Sequence, residues 1–316
     1  MDYNESEQNS MDNVTLDNHV QARRIVNRSG LALFGMAAAI LVAQVLIELI
    51  VGAVAPQIAK TDWYVWAITA FTVVGIGLPT LYCIIKAVPI AKPGEIKRLS
   101  TIQFFGIFLI SAAAMYLTNF FGTFISFLIS IVKGEDLINP LADVVLSSNI
   151  VFTIIYGAIV APIVEELMFR KLLLSRLRNL GDLPAILLSG FAFGLFHMNL
   201  SQFFYATALG IIFAYVTLKT NTIRYAIILH MMINLIGTAV APLATKQENL
   251  IWIGVIGIWV ILSITFGSII FAFQVKKIRL DRPVVPIKKK SVYVLNAGAI
   301  LFIVLCLIMM IQVILI

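Results

Sequence analysis

Charge is scarce in this chain. Asp, Glu, Lys and Arg together supply 12% of its 316 residues, about half the share found in a soluble globular domain. That deficit argues against a soluble enzyme and against a charge-rich disordered chain. Cysteine is scarcer still, with only Cys83 and Cys306, so neither a disulfide framework nor a CxxC metal motif can be built. Both fall in apolar runs and read as buried packing residues. There is no HExxH, the usual mark of a helix-borne zinc peptidase site. Residues 1 to 22 are polar, with Asp2, Glu5, Glu7, Asp12 and Asp17, and lack the apolar centre of a secretory signal. The net charge of +7 is dispersed between hydrophobic segments. The cations read as loops facing anionic headgroups, and no nucleic-acid partner is expected.

Apolar residues are abundant. Hydrophobic side chains make up 60% of the sequence and mean hydropathy is +0.99, so the lipid bilayer is the expected environment. Nine apolar stretches stand out, at 31–56, 63–88, 103–130, 149–172, 184–200, 203–218, 223–243, 250–274 and 292–316. An all-α polytopic bundle of about nine transmembrane helices follows, an eight-helix body plus one C-terminal helix. The stretches 184–200 and 203–218 are short and closely joined, so one of them is expected to be broken or tilted.

With a cytoplasmic N-terminus, 19 Lys and Arg fall on the inner side and three, Lys60, Lys133 and Lys246, on the outer. That asymmetry supports the orientation. The chain then divides into a polar cytoplasmic tail (1–28), a helical body (29–275), a basic cytoplasmic loop (276–291) and a last helix (292–316). Trp63, Tyr64, Trp66 and Trp252 read as interfacial anchors on the outer side. Pro283 and Pro286, in the basic loop, separate the last helix from the body.

One cation, Arg170, is left inside a span, in "APIVEELMFRKLLL" with Glu165 and Glu166. A charge at that depth costs a few kcal/mol (roughly 2.5–3.5) and normally pairs or faces a wet cavity. Arg170 follows Glu166 by one helical turn, which suits an ion pair, and leaves Glu165 without an obvious partner. A purely structural ion pair explains two of the three groups. The chain has three histidines. His19 lies in the tail, whereas His197 ("FAFGLFHMN") and His230 ("HMMIN") lie in apolar stretches. Asn234 follows His230 by one turn and shares its face, and Phe193 precedes His197 by the same interval.

A carboxylate, two imidazoles, a carboxamide and an ion pair make a hydrolytic kit. A glutamate in an apolar setting can accept a proton from water near neutral pH, and a histidine and an amide can donate to an oxyanion. Glutamate with two histidines is also a zinc donor set. At about 1.5 Å per residue, Glu165 and His230 lie about 10 Å from the cytoplasmic ends of their stretches and His197 nearer 20 Å. The gap narrows if the fourth helix continues to Gly181.

"EELMFR" at 165–170, "FGLFH" at 193–197 and "HMMIN" at 230–234 resemble the successive EExxxR, FxxxH and HxxxN/B motifs of the CPBP family. These are the CAAX-protease and bacteriocin-processing intramembrane proteases, also called the Abi or type II CAAX prenyl endopeptidase family. The resemblance is closest over 145–240. It implies water activation by Glu165 and His197, oxyanion stabilisation or site support by His230 and Asn234, and a scaffold role for Glu166 and Arg170. Zinc is an optional cofactor, with Glu165, His197 and His230 as its ligands if it is present. The implied activity is an endopeptidase of a bacterial cell membrane, cutting a membrane-bound peptide or protein near the cytoplasmic face. The side chains are expected to surround one water-accessible cavity, and the tail or last helix is a candidate contact for a membrane protein partner. Two other readings use the same residues. One is a catalytically silent scaffold or regulator. The other is a proton-linked transporter, for which Glu48 would be a further carboxylate but no inverted repeat is found.

Overall fold

The computed structural model describes all residues except 1, 138, 241, 243–249, 282–289 and 316. Its secondary structure is helical throughout the described residues. In chain order the main helices are α1 (Asp2–Val54), α2 (Tyr64–Ile85), α3 (Thr101–Lys133), α4 (Pro140–Ser147) and α5 (Ile150–Leu180). They continue with α6 (Asp182–Phe196), α7 (Leu200–Thr220), α8 (Arg224–Val240), α9 (Leu250–Lys277) and α10 (Ala297–Leu315). Seven of these are long and apolar enough to cross a membrane, and α6 and α8 are shorter apolar helices. Each of the nine apolar stretches meets one of these nine helices. The chain is an integral, multi-pass membrane protein.

Local signals set several boundaries. Ser100 and Gln103 form a reciprocal capping box at the start of α3, and Gly134, at φ +79°, ends it. Helix α5 runs past position 172 to Leu180 and stops at Gly181, whose φ of +95° disfavours any other residue. Helix α1 starts at Asp2, well inside the stretch read as a tail. Ala22, Ile25 and Val26 are already in the main core, so the packed part of α1 begins before Leu31.

The body is layered around α5. Helices α6 and α7 form a close antiparallel pair on one side, where a Cβ on Gly190 would meet the Ile211 backbone nitrogen at 2.8 Å. Gly190 and Gly194 are one turn apart, the small-xxx-small pattern that lets membrane helices approach closely. Helix α10 is part of the body. Gly298 lies against the Asn27 carbonyl and the Gly30 backbone of α1, and the Gly298 N–H donates to Asn27 Oδ1 at 2.8 Å. Phe302, Cys306 and Met310 continue that seam into the core. This face of the last helix is therefore taken by α1.

Other expectations change. Tyr64 and Trp66 are buried, with Trp66 packed on Tyr156 at 5.7 Å between ring centres. Only Trp63 and Trp252 retain the exposure of an interfacial anchor. Cys83 is exposed whereas Cys306 is buried. Pro283, Pro286 and Lys246 lie outside the described residues.

Candidate functional site

The site is built on a helix that enters the π register twice. Residues Thr153–Val160 and Leu167–Leu174 of α5 are π-helical, flanking the α-helical turn Ala161–Glu166. Pro162 explains the return to the α register between them. The Ala161 N–H bonds to the Tyr156 carbonyl in the π register, so the next bond in that register would run from residue 162 to Gly157. Proline has no N–H to make it. The Gly157 carbonyl is instead taken by Asn234 of α8, whose Nδ2 donates to it at 2.9 Å. The proline thus opens a backbone acceptor, and the asparagine of the neighbouring helix fills it. Asn234 was expected to help hold an oxyanion, yet one of its two amide donors is already spent on positioning α5 against α8.

One turn later come the carboxylates. Glu166 is fully buried and forms an ion pair with Arg170 Nε at 3.1 Å. Arg170 Nη2 donates to the Gly210 carbonyl of α7 at 3.2 Å, and its guanidinium carbon stands 4.6 Å from the centre of the Phe193 ring. The other carboxylate oxygen of Glu166 accepts from His230 Nδ1 at 2.9 Å. The opposite ring nitrogen, Nε2, faces Glu165 Oε2 at 3.6 Å. His230 is therefore clamped between two acids. With Nδ1 protonated toward Glu166, a neutral ring would direct its Nε2 lone pair at the Glu165 carboxylate. A proton on one of the two, or a bridging water, relieves that repulsion.

Exposure separates the two glutamates. The Glu166 side chain is 0% exposed and that of Glu165 17%, so only Glu165 can meet a molecule from outside. His197 approaches from α6. It caps that helix and precedes Met198, which has a left-handed φ of +49°, so it stands at a helix end and not in mid-span. Fifteen residues of α6 extend roughly 22 Å, short of the roughly 30 Å hydrocarbon core. His197 Nδ1 lies 2.8 Å from the Phe193 carbonyl. A carbonyl can only accept, so Nδ1 carries the proton and a neutral ring keeps Nε2 as an acceptor. The Phe193 ring meets both imidazoles edge-on, with centres 4.9 Å from His197 and 5.6 Å from His230. His197 lies within electrostatic range of Glu165, His230 and Arg170.

The six singled-out residues thus occupy one neighbourhood. A cavity of about 990 Å³ reaches Arg170 from the side of Arg98 and Arg224, and its walls include none of Glu165, His197, His230 and Asn234. Several contributors had not been singled out from sequence. Pro162 sets the register of α5. Gly210 offers Arg170 its carbonyl, and Phe213 packs on His230 at 5.3 Å between centres. Tyr156 and Tyr205 lie within electrostatic range of Glu165. The Pro162 signal was readable as a proline inside a helix, and the GxxxG at 190–194 as a packing motif.

The fit to zinc is partial. Glu165 Oε2 and His230 Nε2 are 3.6 Å apart, close to the spacing of roughly 3.4 Å between two tetrahedral ligands of one ion. Glu166 on Nδ1 is the kind of outer carboxylate that orients a ligating imidazole. A third donor is needed, and among the described residues no three His, Cys, Asp or Glu side chains converge to hold an ion. The donors make a pair and not a complete site, so no chemical step below is routed through a metal.

A multi-pass helical membrane protein, its acids and imidazoles gathered within the bundle, is the class these observations define. Residues 147–236 match the family described as "Type II CAAX prenyl endopeptidase Rce1-like". The matched segment is under a third of the chain and contains all six residues. The chain is also 37% identical over 82 residues to a Bacillus subtilis (strain 168) protein described as "Putative membrane peptidase YdiL". That likeness covers 26% of this chain and 34% of the relative, so the chain spans about a third of the length of the curated relative it matches. No solved structure matches.

Proposed function

We propose that the protein is an intramembrane endopeptidase that hydrolyses a peptide bond in a membrane-associated peptide or protein near the cytoplasmic face. The observation that carries this reading is the unequal pair of glutamates. Glu166 is spent on Arg170 and His230, whereas Glu165 keeps an accessible oxygen facing His230. In the proposed reaction, Glu165 and the free Nε2 of His197 take up a water, and its proton passes to Glu165 as its oxygen attacks the substrate carbonyl. The oxyanion is met by the Nε2–H of a protonated His230, whose charge Glu166 balances. The tetrahedral intermediate then collapses as Glu165 returns the proton to the leaving amine. The net change is one water added and one peptide bond broken.

The orientation that fits this reading has nine crossings, with α6 and α8 as the short ones, and a cytoplasmic N-terminus. The 19-to-3 asymmetry of basic residues supports it. A bacterial cell membrane is the proposed location. The test is cleavage of membrane-anchored reporter peptides in vesicles containing the full chain, comparing the parent with Glu165→Gln. Loss of product with Glu165→Gln supports the assignment. Equal cleavage by both removes Glu165 as the base. Absence of cleavage by the parent across a broad peptide panel would favour the silent scaffold or regulator.

A further inference from the structure

The 990 Å³ cavity beyond Arg170 is distinct from the proposed reaction site and has a chemistry of its own. Five of its wall residues are basic, Arg98, Arg170, Lys171, Arg178 and Arg224, and none is acidic. Arg178 is partly neutralised, at 3.8 Å from Asp182 and with Nη1 donating to Asn221 Oδ1 at 2.5 Å. Among the described residues Arg98, Lys171 and Arg224 have no ion-pair partner. At the inner wall Arg170 is 1% exposed, and its Nη1 is buried without a hydrogen-bond partner. Arg170, already paired with Glu166, adds a fixed positive charge behind the inner wall.

The walls are also held in place. The segment 89–100, which has no regular secondary structure, is fastened to α5 by the Ala91 N–H on the Ser175 carbonyl and to α7 by the Lys97 N–H on the Thr220 carbonyl, each at 2.9 Å. Asn221, in the left-handed conformation at φ +51°, donates to the Glu95 carbonyl at 2.8 Å. The same walls are partly apolar. Ile90, Ile96 and Ile228 line the cavity and are exposed, a surface that suits acyl chains better than water.

We infer that this cavity is a binding site for the phosphate headgroup of an anionic phospholipid, whose phosphate meets Arg98, Lys171 and Arg224 while its acyl chains lie along the isoleucines. A general attraction of loop cations to anionic membranes would not depend on which cations are removed, and the cavity makes it depend. The full-length protein, purified in detergent, is offered phosphatidylglycerol, phosphatidylcholine or inorganic phosphate, and retained lipid is counted by native mass spectrometry. The parent should retain phosphatidylglycerol over phosphatidylcholine, a result that needs no variant to fold. The triple change Arg98→Gln, Lys171→Gln and Arg224→Gln should lower that retention on the order of a hundredfold, at about fivefold per cation. Lys276→Gln, Lys277→Gln and Arg279→Gln, which remove the same charge from the end of α9 and just beyond it, should leave it nearly unchanged. Equal losses in the two triple variants, or equal retention of the two lipids by the parent, would overturn the site. Displacement of the lipid by millimolar inorganic phosphate would overturn the lipid as the source. Peptide cleavage does not enter the readout, so the outcome is independent of the proposed activity.

Discussion

Two acid–base clusters sit on neighbouring parts of the bundle and are built on opposite principles. At the start of α6, Asp182 is buried and fully occupied. Its Oδ2 accepts from Lys219 and from the Asp281 backbone N–H, both at 3.1 Å, and Arg178 stands 3.8 Å from Oδ1. Two partially exposed cations surround one acid, and every oxygen is in use. Between α5 and α8 the proportion is reversed, with Glu165 and Glu166 sharing Arg170 and His230. Glu166 is paired with Arg170 and His230, and Glu165 is the acid left over. A cluster whose charges cancel ties helices together. A cluster with a carboxylate in excess beside an imidazole can also hold and move a proton.

The sharpest way to break this comparison is to remove the surplus carboxylate. Glu165→Gln keeps size and polarity, so folding should be retained while reporter cleavage falls by about 10²- to 10⁴-fold. If cleavage persists, the two clusters are both structural. The second intervention reverses the emphasis. Arg170→Met leaves Glu166 buried beside His230 without its cation and should cost about 3–5 kcal/mol of stability, read from thermal or denaturant unfolding in detergent. The double change Glu166→Gln with Arg170→Met should recover part of that loss, because it removes both charges together. A metal is tested on the same samples. Cleavage should withstand chelators, and loss restored by zinc would instead complete the Glu165–His230 pair with a third donor.

The three motifs were legible because each combines a polar residue with an apolar setting where polar residues are costly. The helices were legible for the same reason, since nine hydrophobic runs correspond to α1–α3 and α5–α10. What escaped was decided by contacts between runs. Hydropathy marks Tyr64 and Trp66 as interfacial, but packing against Tyr156 buries Trp66. Residues 171–180 look like a loop because Lys171, Arg176 and Arg178 are basic, yet Arg176 is buried and donates to the Ile85 and Val88 carbonyls, extending α5. The spacing 165–170 suggests an ordinary helical turn, whereas α5 is π-helical from Leu167 onward, through backbone bonds that no side-chain pattern displays.

The balanced cluster should respond differently from the proposed reaction site. Asp182→Asn keeps an acceptor oxygen but removes the charge that Lys219 and Arg178 share. A loss of about 1–3 kcal/mol in stability is expected, with reporter cleavage within a few fold of the parent once the protein is folded. A collapse of cleavage at full stability would mean that the clasp at the start of α6 also sets the position of His197 at its other end.

The smallest effect tests the account of Asn234. If its amide satisfies the carbonyl that Pro162 leaves without a donor, then Asn234→Leu orphans the Gly157 oxygen and should cost about 1–3 kcal/mol. Pro162→Ala restores an N–H at the position from which the π register would reach Gly157. In that background the cost of Asn234→Leu should shrink, and the double-mutant cycle should give a coupling of about 0.5–3 kcal/mol. Cleavage separates the two roles open to this side chain. If Asn234 acts only by holding α5 against α8, Pro162→Ala should rescue activity together with stability. If it also donates to the oxyanion through its second amide hydrogen, stability recovers while cleavage stays low, and the asparagine then belongs to the surplus-carboxylate cluster in function as well as in position.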